Sequence, residues 1–210
     1  MRRADWIRRA ARFGGGVLVA LALSGCFVAD RPLLLTSDLA QPIASGQWLE
    51  LSREKAEDAA AYTAAERLQK NCQTSGTETY CGRSVFSIMR QRDGGYSRRD
   101  VSQPANNYPL RLSDLGGGYY IVEGGEPGKL QVQYDIARYL PGSDGKGGVF
   151  AIYHPDCKGD TELHDLAPPR PKDPGYCVVP TRANLFQMMW RLKILVALGG
   201  APAVFYIQQS

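Results

Sequence analysis

Histidine is almost missing from these 210 residues, with His154 and His164 the only two. Any imidazole-based metal or acid–base centre would therefore have to be built from one short segment. None of the five cysteines stands in a Cys-x-x-Cys pair, which removes the usual signature of a thiolate metal site. Long hydrophobic runs are also wanting. The best stretch, 194–207, is fourteen residues long and is broken by Gly199-Gly200 and Pro202, whereas a membrane-spanning helix needs about 20 apolar residues. It reads instead as the end of a core helix followed by a core strand. No phosphate loop, dinucleotide fingerprint or Gly-x-Ser-x-Gly element occurs. Gly116-Gly117-Gly118 and Gly124-Gly125 fall between expected strands rather than ahead of a helix.

What is present begins at the N-terminus. Arg2, Arg3, Arg8, Arg9 and Arg12 face one acid, Asp5, and the seven-residue apolar run Val17–Leu23 ends in small Ser24 and Gly25 before Cys26. A charged start, a short apolar core and a small-residue site form a secretory layout. Leu23-Ser24-Gly25-Cys26 resembles the signal of bacterial lipoproteins, over residues 1–26 alone. The resemblance implies cleavage before Cys26 and acylation of its thiol and new amine. Each buried methylene contributes about 0.8 kcal/mol, so two or more acyl chains anchor a protein stably. In that family Asp after the lipidated Cys favours inner-membrane retention. Phe27 stands there instead, which implies the outer membrane, facing the periplasm, with the periplasmic face of the inner membrane as the alternative.

Taking the five arginines and one aspartate of residues 1–25 from the 25 basic and 21 acidic residues leaves 20 of each. A balanced mature domain offers no basic face for nucleic acid. Cys72, Cys81, Cys157 and Cys177 then remain in a compartment that permits disulfides. Three pairings are open. Cys72–Cys81 and Cys157–Cys177 are favoured because each brackets a polar, turn-rich segment, and closing such loops contributes about 3 kcal/mol in the chain-entropy model.

Residues 26–210 fit one domain. Leu130–Ile136 alternates apolar and polar residues without a fault, the pattern of a sheet with one wet face. Tyr119–Val122 precedes it and Val149–Tyr153 follows, which predicts a three-strand meander centred on 119–153. Further strands are expected at Gln47–Leu51, Thr79–Met89, Tyr108–Leu112, Tyr176–Val179 and Val204–Gln208. One helix is expected over Arg53–Lys70 with Ser52 as N-cap, and another over Arg182–Leu198 with Thr181 as N-cap and Gly199-Gly200 as the stop. Pro32-Leu33-Leu34-Leu35 is apolar enough to enter the core directly after the anchor. The expected class is α+β: an antiparallel sheet with a covering C-terminal helix, and curling toward a barrel as its variant.

Chemistry-bearing patterns are few. Ser52-Arg53-Glu54-Lys55 matches the Ser-x-x-Lys pattern of wall-peptide acyltransferases, but no Lys-Thr-Gly partner follows, and an N-cap role suffices for Ser52. His154 through Asp156, Asp160, Glu162, His164 and Asp165 gathers both imidazoles with carboxylates, yet fits neither a zinc nor a calcium template. Arg83, Arg90, Arg92, Arg98 and Arg99, with Phe86, Tyr96 and Asp93 among them, concentrate positive charge and read as a solvated surface. Ala167–Pro174 reads as a stiff loop. Ser-Asp-Leu at 37–39 and again at 113–115 is too short for a repeat.

The sequence thus points to an envelope lipoprotein with a non-enzymatic binding or scaffolding role, no catalytic or metal residues and no cofactor. The partners expected are the membrane, through Cys26, and another envelope protein. An apolar small-ligand carrier, with a cavity lined by Tyr119, Val132 and Tyr134, and a metal-dependent hydrolase using the 154–165 loop are the rivals. Cys26→Ser is expected to abolish acylation, since the lipid is transferred to the thiol. Metabolic labelling with an alkyne fatty acid checks this, and a Cys26→Ser chain that still labels would place the anchor elsewhere.

Overall fold

The computed structural model describes residues 27–105, 107–125, 131–141 and 148–209. Residues 1–25, read from the sequence as a lipoprotein signal, and Cys26 lie outside them, as do most of the loops joining the predicted meander. Eight strands form one closed antiparallel ring: β2 (Gly46–Arg53), β4 (Glu78–Arg90), β5 (Tyr96–Asp100), β6 (Asn107–Gly116), β7 (Tyr119–Gly125), β8 (Val132–Pro141), β9 (Gly148–Tyr153) and β12 (Val204–Gln208). Each pairs with the next in this order, and β12 returns to β2 in the register Val204↔Ser52 through Gln208↔Trp48. The sheet closes completely.

Smaller strands extend the ring. β1 (Phe27–Ala29) lies on the first half of β8, where β9 has already departed, and carries β11 (Asp173–Val178) and then β10 (Pro169–Arg170) on its far side. β3 (Gln73–Ser75) adds a hairpin to β4. Two disulfides fasten these extensions, Cys72–Cys81 at the β3 hairpin and Cys157–Cys177 beneath β11.

Alternation along the strands produces two separate cores. Trp48, Phe86, Ile88, Tyr96, Leu112, Val122, Phe150 and Tyr206 point into the ring. Their neighbours of opposite parity, Tyr119, Ile121, Tyr134 and Ile136, point outward and pack with Phe27, Leu33 and Leu34 and with Leu185, Met188, Met189 and Leu192 of helix α3 (Arg182–Ala197). Because the sheet closes on itself, α3 rests on one sector of the outer wall instead of covering an open sheet. Three consecutive left-handed glycines, Gly116, Gly117 and Gly118 with φ of 74°, 65° and 78°, make the tight link from β6 to β7.

The chain between β1 and β2 runs first along the outer wall and then sends Ile43 into the interior. Leu33 and Leu34 donate their amides to Glu123 Oε2 at 2.9 and 3.0 Å. Farther on, Leu39 pairs with Ser113, so the two Ser-Asp-Leu segments meet without being repeats of one unit. Ile43 then drops into the interior core, and the Tyr96 hydroxyl both accepts from its amide and donates to its carbonyl, each at 3.1 Å.

The helix expected over Arg53–Lys70 is two short ones, α1 (Ala56–Ala61) and α2 (Ala64–Gln69), because Tyr62 and Thr63 turn extended and Thr63 starts a new capping box with Glu66. Ser52 is not an N-cap. It is a strand residue of β2 whose hydroxyl bonds Glu50, and Lys55 opens α1, so the Ser-x-x-Lys pattern straddles a strand end. β5 runs through the segment read as a solvated basic surface, and Arg98 is buried inside the ring at 6% exposure.

The two tryptophans of the described residues occupy opposite environments, Trp48 at 0% and Trp190 at 51% exposure. Trp48→Ala is expected to lower unfolding free energy by about 3–5 kcal/mol, the cost of emptying a packed aromatic site. Trp190→Ala should stay within about 0.5 kcal/mol of the parent, as surface changes do. Urea titrations of both variants test the assignment of inside and outside.

Candidate functional site

Eight strands leave an interior that side chains can just fill, or that can hold one small ligand. Here the lining residues Ile43, Trp48, Ile88, Arg98, Leu110, Val122, Phe150, Ile152 and Tyr206 leave a cavity of about 20 Å³. That is the room of one water molecule. The interior is packed.

Below this apolar part lies a belt of buried polar groups. Tyr206 and Glu50 face each other across the β12–β2 seam, and the phenol donates to Glu50 Oε2 at 2.9 Å. Arg98 on β5 reaches over to donate to the Tyr206 oxygen at 2.8 Å, lies 4.0 Å from the same Glu50 oxygen, and stacks its guanidinium 4.0 Å above the Phe86 ring. The Ser52 hydroxyl takes the other Glu50 oxygen. Burial pushes the Tyr206 phenol far above its ordinary range, and the Glu50 carboxylate adds to that while Arg98 opposes it. The phenol therefore stays a donor at any physiological pH.

Asp135 of β8 and His154, just past β9, form the second half of the belt with His154 Nδ1 2.8 Å from Asp135 Oδ1. Among the described residues three buried polar atoms in this interior have no protein partner: Trp48 Nε1, Arg98 Nε and Asp135 Oδ2. Two of their owners, Trp48 and Arg98, line the small cavity. An arrangement of opposite charges bonded to each other inside a closed ring presents no nucleophile to solvent. What it does is tie β2, β5 and β12 together across the closing seam.

The residues of the 154–165 loop do not converge. His154 turns into the ring, whereas His164 directs Nε2 to the Cys157 carbonyl at 2.7 Å. Asp165 forms a two-pronged ion pair with Arg191 of α3 at 2.9 and 3.0 Å, and Asp160 Oδ2 accepts from the Asp156 amide. Cys157 and Cys177 lie beside His164, but their sulfurs are bonded to each other and carry no thiolate for a metal. Tyr119 and Tyr134 face the outer core under α3, with the Tyr134 hydroxyl held by Glu123 at 2.9 Å, so they line no interior cavity. Arg90 is also occupied, donating to the Ile43 and Gln41 carbonyls of the segment before β2.

A larger concavity lies outside the ring. Leu51, Tyr80, Val149, Phe205 and Ile207 floor a groove of about 280 Å³ whose wall is Gln73, Thr74 and Ser75 of β3. Phe205 and Ile207 are the outward partners of the inward Tyr206, and the Tyr80 and Phe205 rings meet edge to face at 4.7 Å. The Cys72–Cys81 bond braces the β3 wall at its base. Sequence reasoning missed this groove. Its floor joins residues 51, 80, 149 and 205, which meet only because the ring closes.

No protein family, no curated protein and no solved structure matches this chain.

The His154–Asp135 pair has a pH signature. Burial disfavours the imidazolium, yet the Asp135 carboxylate, through charge and hydrogen bond, and Glu50 carry the His154 pKa above its ordinary 6.5. A raised folded-state value means the pair's stabilisation is complete below the unfolded pKa and fades as pH climbs through the folded one. Wild-type stability in denaturant is expected to fall as pH rises from near 6.5 into the alkaline range, and His154→Gln should flatten that slope. An unchanged slope in the variant would remove His154 as its source.

Proposed function

We propose that the chain is a lipid-anchored envelope protein, held by Cys26 in the outer membrane, that binds another envelope protein through the outside of its barrel and catalyses no reaction. One contrast carries this reading. The interior is filled to about 20 Å³ whereas the exterior keeps an apolar groove of about 280 Å³. A carrier of apolar ligands needs the opposite distribution, since pockets for small molecules have volumes of about 300–1,000 Å³ and enclose their ligand. The hydrolase reading needs convergent imidazoles, and His154 and His164 bond to separate partners.

The groove suits an extended peptide segment. Its wall, β3, is exposed along all three residues and pairs with β4 on one side. A strand laid against such an edge gains backbone hydrogen bonds, and its alternate side chains would reach the floor of Leu51, Phe205 and Ile207. The mature domain's charge balance fits recognition by shape and apolar contact over electrostatic steering. On this reading α3 is the cover of the second core, the sector through which the chain is joined to its anchor.

A photo-reactive residue at Thr74 in intact cells is expected to give one discrete protein adduct, lost on Phe205→Glu while the melting temperature holds. Native mass spectrometry of the purified chain should show the bare polypeptide mass plus lipid. A stoichiometric small ligand in that spectrum, with no Thr74 adduct, would replace this function with the carrier.

A further inference from the structure

Helix α3 carries large apolar residues on two sides, with Gln187 and Arg191 beside those of the exposed one. One face enters the outer core through Leu185, Met188, Met189 and Leu192, while Trp190, Ile194 and Leu198, four residues apart, form a ridge on the other at 51%, 59% and 80% exposure. A surface helix ordinarily keeps its large apolar side chains on the stripe that faces the core, with polar ones opposite. Here one side is bare among the described residues.

We infer that the Trp190–Ile194–Leu198 ridge is a bilayer-contact surface, seating the domain in the interfacial zone of the membrane that holds its lipid. The position of the chain end selects this occupant. Phe27 is fully buried in the core that α3 packs on, and Cys26 is the residue before it. One residue spans about 3.8 Å, so acyl chains on Cys26 leave no tether by which the α3 sector could stand clear of the bilayer. This step rests on the lipid-anchor reading.

The composition of the ridge agrees with an interfacial site. Tryptophan prefers the headgroup level, where its apolar ring and polar N–H are both accommodated. Lys193 sets its ammonium 4.4 Å from the Trp190 ring centre while donating to the Leu115 and Gly116 carbonyls at 2.8 and 2.9 Å. A cation is thereby fixed at the edge of the apolar ridge, where phosphate headgroups lie. Those bonds also tie the helix to the β6–β7 turn, so the ridge is presented rigidly. No helix among the described residues is long and apolar enough to cross a membrane. The mode is contact along the surface, with α3 parallel to it.

The test uses the chain purified from membranes and reconstituted in phosphatidylethanolamine–phosphatidylglycerol vesicles with brominated acyl chains. After cleavage before Cys26 the chain keeps Trp48, sealed inside the ring, and Trp190, so bromine quenching reports Trp190. Loss of Trp190 emission is expected, absent in Trp190→Phe and abolished in Ile194→Glu with Leu198→Glu while circular dichroism is unchanged. The mass of the N-terminal peptide reads the anchor separately. An acylated, vesicle-bound chain without quenching overturns the bilayer ridge and leaves the anchor standing. An unacylated chain overturns the anchor, and its mixing with the same vesicles then decides the ridge: quenching that is lost in Trp190→Phe upholds it, and any other result overturns it.

Discussion

The antiparallel pairing of Val204–Gln208 with Gly46–Arg53 is the constraint from which the remaining architecture follows. Without it β2 and β9 would be open edges, each with a row of unpaired amides and carbonyls that invite association with other chains. With it the sheet has an inside. Trp48, Tyr206 and Phe150 then meet at the centre instead of facing solvent, and Leu51, Phe205 and Val149 are brought together outside to floor the groove. Both the filled interior and the exterior concavity are products of one seam.

The buried polar belt belongs to the same seam. Glu50 and Tyr206 are cross-strand partners there, and Arg98 joins them from β5, which only β4 separates from β2. Replacing one member of such a group leaves a charge stranded in low dielectric, so the cost of disruption exceeds what the contacts contribute in place. A shift of the β12–β2 pairing by one residue would turn Tyr206 outward and Phe205 inward, and strand Glu50 and Arg98 without their shared phenol. The belt thus penalises wrong registers more than it strengthens the right one.

Strand positions were largely readable from local alternation: the 119–153 meander, β4, β6, β11 and β12 overlap the segments the pattern marked, though β8 runs on to Pro141 and β11 begins at Asp173, inside the proline-rich stretch read as a loop. Closure was not readable. It depends on the meeting of residues near 50 with residues near 205, and nothing local to either segment announces the other. β5 escaped notice because Arg98 and Arg99 interrupt its alternation. Arg98 is apolar in effect only through its stacking on Phe86 and its bond to Tyr206, which no single-strand pattern displays. The α1–α2 break was hidden by a continuous run of helix-forming residues. Thr63 and Glu66 did carry the capping signature that marks a restart. The acidic loop drew attention by composition, whereas its histidines are dispersed by the β9 exit and the Cys157–Cys177 bridge.

The seam also imposes an order of events in time. β12 follows every other strand of the ring in the chain, and its partner β2 comes first among them. A polypeptide threaded through a translocation pore from its N-terminal side would expose seven strands before the eighth arrived. Until then the two terminal edges of the sheet stay unpaired, and the nascent chain is a curved ribbon vulnerable to neighbours. Under such threading the ring would close only once residue 208 had passed, since the β12–β2 pairing joins the two ends of the barrel sequence.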